Sequence, residues 1–148
     1  VQQAVWKQII EKGSDFWQTL ELLPGAKEVL RRINTLSRQN HECLFLTHRM
    51  GYNAKWQTEK WLYDNGISYP TVILAEDKVP VLRSIDAAFF IDDKLATMND
   101  CLKRELYRDL EIRLFLLDAP YNREGRLRGY TVVNSVQEAL ESVGLWHA

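Results

Sequence analysis

The chain has 148 residues and a mass of 17.3 kDa, a length that fits one domain. Apolar residues make up 46% and charged residues 26%, which excludes a disordered tail, a collagen-like fibre and a disulfide-stapled miniprotein. Nineteen Lys and Arg against twenty Asp and Glu leave a net charge of −1, so no global field draws nucleic acid or an anionic membrane.

The opening Val-Gln-Gln-Ala-Val-Trp lacks the basic and apolar regions of a signal peptide, and its first residue is Val, which fits either processing or a fragment. Val5, Trp6, Ile9 and Ile10 predict a short amphipathic helix ended by Gly13. Pro24 opens the next helix at a favoured first-turn position. Ala26, Val29, Leu30, Ile33 and Leu36 form its apolar face, and Lys27, Glu28, Arg31 and Arg32 cover the other. Cys43 to Thr47 is a continuous apolar run, the pattern of a strand buried on both faces. Asn53 is placed to cap a helix carrying Trp56, Trp61 and Leu62, which Gly66 stops.

Thr71 to Leu74 reads as the second strand, followed by a short helix around Val79 to Ser84 with Pro80 in its first turn. Ala87 to Ile91 is a third strand, closing on Asp92-Asp93, and a helix runs from about Leu95 to Arg108. Ile112 to Leu117 and Tyr130 to Val133 are the fourth and fifth strands, and Asn134 caps a last helix before Gly144. Apolar strands separated by helices predict an α/β fold with a parallel sheet covered on both faces. No apolar run approaches the roughly 20 residues that span a bilayer. Cys43 and Cys101 sit among apolar neighbours and read as buried thiols of a reducing cytoplasm, with a structural bridge or metal pair as the lesser alternative.

Ligands of open parallel sheets bind beyond the carboxyl ends of the strands. Those positions carry Thr47, His48 and Arg49, then Glu76, Asp77 and Lys78, then Asp92, Asp93 and Lys94, then Asp118 to Arg123. A hydroxyl, a lysine and a carboxylate pair suit a phosphate ester held beside Mg²⁺. Taken singly, each has an ordinary reading: Thr47 as strand former or cap, Lys78 as solvated surface. The adjacent carboxylates Asp92 and Asp93 repel unless a cation or a donor lies between them. Arg123, Arg126 and Arg128 form a basic stretch, but Glu124 interrupts it and no nucleic-acid-binding signature accompanies it.

Leu44-Phe45-Leu46-Thr47, Asp77-Lys78 and Phe89-Phe90-Ile91-Asp92-Asp93-Lys94 resemble motifs II, III and IV of the haloacid dehalogenase-like (HAD) hydrolases. Pro24-Gly25-Ala26, Thr47-His48-Arg49, Trp61-Leu62 and Asp118-Ala119-Pro120-Tyr121-Asn122 make the 5'(3')-deoxyribonucleotidase branch the closer likeness, over about Phe16 to Glu138. The resemblance implies a Rossmann-like core over 21–148, preceded by a remnant of a helical cap over 1–20. Thr47 and Lys78 then have catalytic roles. Thr47, His48, Arg49 and Lys78 serve the substrate phosphate, and Asp92 and Asp93 hold Mg²⁺. Arg49 keeps a second reading as a structural ion pair, and the Tyr121-Asn122-Arg123 loop stands between a border of the site and an ordered surface loop.

The family's motif I, an Asp-x-Asp whose first carboxylate attacks phosphorus while the second moves the proton, occurs nowhere in the chain. Its strand would lie between those ending in Thr47 and Ile91, so these two are expected either unpaired or forced into a new pairing. The leading expectation is a cytoplasmic, Mg²⁺-dependent phosphohydrolase whose nucleophile lies outside these residues. The 148 residues alone are then inactive, and the substrate is a small phosphate ester, a (deoxy)nucleoside monophosphate by branch likeness. The alternative is an inactive HAD-like protein that binds a nucleotide, phosphate or protein partner. A pure interaction module is a third reading, resting on Trp6, Trp17 and Trp146, against the plainer account that these rings pack the core. No membrane partner is expected.

Overall fold

The computed structural model describes Lys7, Ile9 and residues 13–146. The helix expected around Val5, Trp6, Ile9 and Ile10 falls largely outside them. The chain divides into two compact units, Val1–Glu76 and Asp77–Ala148.

In the first unit, a 3-10 helix spans Gly13–Thr19, and helix α1 covers Ala26–Leu36. Helix α1 starts two residues after Pro24, because Pro24 and Gly25 form the turn that leads into it. Strand β1 (Leu44–Thr47) is followed by helix α2 (Ala54–Asp64) and strand β2 (Thr71–Leu74). Asn53 does precede α2, yet its side chain makes no cap bond. It adopts left-handed backbone, and its carbonyl accepts the Gln57 N–H at 2.9 Å. Gly66, at φ +103, turns the chain out of α2, and the Ile67 N–H returns to the Leu62 carbonyl at 3.0 Å. That closure places Ile67 beside Leu62, Leu30 and Val72 in this unit's core, against Leu22, Ile33, Phe45 and Trp61.

The second unit contains helix α3 (Val79–Ser84), strand β3 (Phe89–Asp92), helices α4 (Leu95–Lys103) and α5 (Leu106–Asp109), strands β4 (Arg113–Leu117) and β5 (Thr131–Val133), and helix α6 (Val136–Ser142). The single helix expected from Leu95 to Arg108 is two. Glu105 takes a left-handed conformation at φ 54, and Arg83 secures the break by donating to the Arg104 carbonyl and to Asp109. Leu106, just beyond the break, is fully buried. Helix α6 is capped by Ser135 rather than Asn134, through an Oγ that accepts the Glu138 N–H. Phe115, Val133 and Ala139 form this unit's core with Phe89, Ile91, Leu117 and Val143 packed on it.

All strand pairings are parallel, as alternating strands and helices require, so the protein is of α/β class. The strands form two short sheets, β1-β2 and β3-β4-β5. Leu44 stands opposite Thr71, Phe89 opposite Arg113, and Phe115 opposite Thr131. Among the described residues β1 pairs with β2 alone and β3 with β4 alone, so each keeps one unpaired edge. Strand β1 is correspondingly half-buried along its length, not enclosed on both faces as its apolar run suggests. No helix among the described residues is long and apolar enough to cross a membrane. Cys101 is buried and Cys43 half-buried, both free, and burial pushes both thiols above their usual pKa, Cys101 to about 11.

Candidate functional site

In the second unit the chemistry gathers at the carboxyl end of β3. Asp92 is the last residue of that strand, and Lys78 is the residue from which α3 springs. Lys78 Nζ lies 2.7 Å from Asp92 Oδ2, with side-chain exposures of 9% and 8%. The ammonium also sits 5.8 Å from the Phe90 ring centroid. The other oxygen of Asp92 accepts the backbone N–H groups of Asp93 at 2.8 Å and Lys94 at 3.2 Å. Burial pushes the Asp92 carboxyl above the usual carboxylate range, against the pull of Lys78 and the Lys94 amide, and Asp93 adds to the rise.

Asp93 stands one residue beyond the ladder. Tyr121 donates its hydroxyl to Asp93 Oδ2, and Asn122 donates to the Asp93 carbonyl at 2.8 Å. The Tyr121 phenol is pushed up to about 12, first by this bond to the carboxylate and then by burial. The loop after β4 therefore reaches Asp93 directly. Asp118 at the head of that loop is held by Arg123 and Arg126, and these two guanidinium groups bring its carboxyl down to about 2. Asp77, beside Lys78 in the sequence, does not share the cluster. It accepts the Val79 N–H at 3.1 Å and pairs with Arg104 at 2.6 Å, which lowers its carboxyl pKa.

In the first unit, Thr47 ends β1 and its carbonyl accepts the Ala75 N–H at 3.0 Å. His48 and Arg49 follow, both half-buried. Arg49 donates to Thr58 Oγ1 at 2.9 Å, and its guanidinium lies 4.7 Å from the Trp17 ring centroid. Trp17 is itself fixed, its indole N–H on the Met50 carbonyl and its backbone N–H on Gln57, each at 2.9 Å. Burial lowers the Arg49 guanidinium pKa. No ion pair to a carboxylate joins Arg49 among the described residues, so its partners are a hydroxyl and a ring. A half-desolvated cation held this way is suited to an incoming anion. Neither Trp17 nor Thr58 is marked as a partner of Arg49 by the sequence, since their separations follow no helical or strand period.

The structure thus brings Lys78, Asp92 and Asp93 together in one unit and keeps Thr47, His48 and Arg49 consecutive in the other. A hard divalent cation is compatible with the carboxylate pair. Mg²⁺ is commonly held by one or two carboxylates and completes its shell with water and phosphate oxygens. Asp92 and Asp93 supply two such groups, close enough that Asp93 adds to the rise of the Asp92 carboxyl. Among the described residues there is no cluster of three or more His, Cys, Asp or Glu side chains able to hold a metal. No family model, curated protein or solved structure matches the chain.

Proposed function

We propose that this chain is the phosphate- and cation-binding core of a HAD-type, Mg²⁺-dependent phosphohydrolase acting on a small phosphate ester. A (deoxy)nucleoside monophosphate is the substrate class its motif resemblance favours. The observation that carries the reading is the buried Lys78–Asp92 pair with Asp93 beside it, at the carboxyl end of β3. Desolvating two charges for stability alone is a poor bargain, because well-packed apolar residues do as well or better. A buried ammonium paired with the first of two adjacent carboxylates at a strand end instead suits a site that handles phosphate.

In this reading Thr47 donates its hydroxyl to a phosphoryl oxygen, and Arg49, aligned by Trp17 and Thr58, neutralises a second. Lys78 favours the charged form of Asp92 against its burial and presents positive charge to the phosphate. His48 borders the same loop. Asp92 and Asp93 hold Mg²⁺, which when bound polarises the phosphoryl group and shields its charge. The nucleophile of the reaction comes from an Asp-x-Asp strand outside these 148 residues, and the unpaired edges of β1 and β3 support such a strand.

The test is phosphate release from nucleoside monophosphates in Mg²⁺ and in EDTA, on preparations whose intact mass is known. Mg²⁺-dependent release by a protein longer than 17.3 kDa, with none from the 148 residues alone, is the expected result. No release by any longer form, or release indifferent to EDTA, overturns the reading. The absence of Asp-x-Asp favours a second reading, a HAD-like protein that binds phosphate, a nucleotide or a protein without hydrolysing it. Its signature is Mg²⁺-dependent binding that no longer form converts into turnover.

A further inference from the structure

Among the described residues of the first unit, the buried polar side chains are Gln57 and Thr58, at 1% and 4% exposure. They are consecutive on α2, and their bonds lead to the same place. Gln57 Oε1 accepts the Trp17 N–H at 2.9 Å, and Nε2 donates to the Tyr52 carbonyl at 2.8 Å. Gln57 thus joins the 3-10 helix to the loop between β1 and α2. Thr58 Oγ1 donates to the Ala54 carbonyl at 2.7 Å and accepts Arg49 Nη1 at 2.9 Å. The Trp17 indole closes the ring of contacts by donating to the Met50 carbonyl.

A buried Gln that ties down a loop is an ordinary structural device. What sets this one apart is that the bonds converge on a cation left open. A guanidinium has five N–H donors. Thr58 takes one at Nη1, and the Trp17 ring, 4.7 Å from the guanidinium carbon, takes none. No buried side-chain nitrogen among the described residues lacks a partner, so the unused Nε and Nη2 reach solvent. Those two nitrogens form the edge that meets an oxyanion through two parallel bonds.

We propose that Gln57 is a positioning residue which, with Trp17 and Thr58, holds Arg49 with its Nε–Nη2 edge open to a phosphate oxyanion. This deepens the phosphate role given to Arg49 above and rests on it. Its physical content is preorganisation. Binding that must first immobilise a long side chain is weaker by about 2- to 12-fold. Here the fold has already ordered the chain: Thr58 holds one nitrogen, and Gln57 places the ring that covers the cation.

Inorganic phosphate is the probe, titrated calorimetrically into the full 148-residue chain at constant ionic strength. Each variant is read well below its own melting midpoint, so a purely structural role leaves affinity unmoved. Thr58→Val is the deciding variant, because it keeps the size and removes the hydroxyl, and Thr58→Ser is its rescue. Phosphate affinity is expected to fall by about 2- to 12-fold in Thr58→Val and to return in Thr58→Ser. Gln57→Met removes both amide bonds and is expected to fall by a similar factor. Should it fail to fold, Trp17→Leu takes its place, since it deletes the ring but keeps the backbone N–H that Gln57 holds. If Arg49→Lys weakens binding while Thr58→Val and the Gln57 or Trp17 variant bind like the parent, the positioning role is overturned and the phosphate role of Arg49 stands. Thr58→Ser as weak as Thr58→Val overturns it too, because the hydroxyl is then not what holds Arg49. If the unaltered chain binds no phosphate, or Arg49→Lys binds it equally well, both readings of Arg49 fall.

Discussion

Lys78 and Asp92 face each other across 2.7 Å with less than a tenth of either side chain exposed. Removing one partner from such a pair strands the other charge in a poorly solvated place. Lys78→Met is therefore expected to lower unfolding free energy by about 3–5 kcal/mol, and Asp92→Leu by a similar amount. The double variant should recover most of that loss, because no charge is left unpaired. Urea unfolding of the four proteins measures the coupling. If the double variant's loss equals the sum of the two single losses, the ion pair as described is wrong.

The Arg49 guanidinium lies over the Trp17 ring, 4.7 Å from its centroid, and donates to Thr58. Arg49→Lys preserves the charge but forfeits the planar fork and its stacking. Losing one charge-assisted hydrogen bond is worth about 1.5–3 kcal/mol, or about 10- to 150-fold in binding. Phosphate affinity, measured by calorimetry, should drop within that range. Thr47→Ala should cut turnover of any active longer form by on the order of 10²-fold, as loss of one oxyanion-type donor does. Unchanged affinity and unchanged rate would remove both residues from the site.

The Asp118 carboxyl titrates near 2 in the folded chain, against an ordinary 3.8, because Arg123 and Arg126 favour its charged form. A lowered folded pKa means the unfolded chain takes up the proton first as pH falls. Asp118 thus adds stability that is complete above about pH 4 and disappears toward pH 2. Asp118→Asn should show a shallower loss of stability over that window than the unaltered protein. Parallel acid-unfolding curves for the two would contradict the assignment.

Gly129 has φ +134, and a Cβ built there lies 2.7 Å from Leu102 Cδ2. Gly129→Ala meets both a backbone conformation that favours glycine and an overlap with a core-side leucine. A loss of about 1–3 kcal/mol is expected. Adding Leu102→Ala should relieve the overlap and leave the backbone strain. A Gly129→Ala protein as stable as its parent, by thermal melting, would refute this contact.

The order of helices and strands was legible because apolar spacing is a local property: Val29, Leu30, Ile33 and Leu36 announce a helical face, and Phe89, Phe90 and Ile91 a strand. The candidate site was legible as a set of strand-end residues, since Thr47, Lys78, Asp92 and Asp93 each follow or end an apolar run. Element edges were less so. Ser135 and Asn134 are equally good caps by composition, and which one turns its oxygen back to the Glu138 amide depends on backbone angles outside the helix. The break at Glu105 has no glycine or proline to mark it. It arises where Arg83 captures the Arg104 carbonyl, a contact across 21 residues.

By itself the sequence determined that this is an α/β protein of parallel strands, with a hydroxyl, a lysine and two carboxylates at strand ends, because hydrophobic period and residue type are written locally. Only the tertiary structure decided that Lys78 closes on Asp92 while the adjacent Asp77 turns away to Arg104, and that Trp17 and Thr58 are what hold Arg49. It also decided that Tyr121 and Asn122 grip Asp93, and that among the described residues β1 and β3 each keep an unpaired edge. Such pairings join residues far apart in the chain, and their geometry is set by how helices and loops pack, which no local pattern of residues encodes.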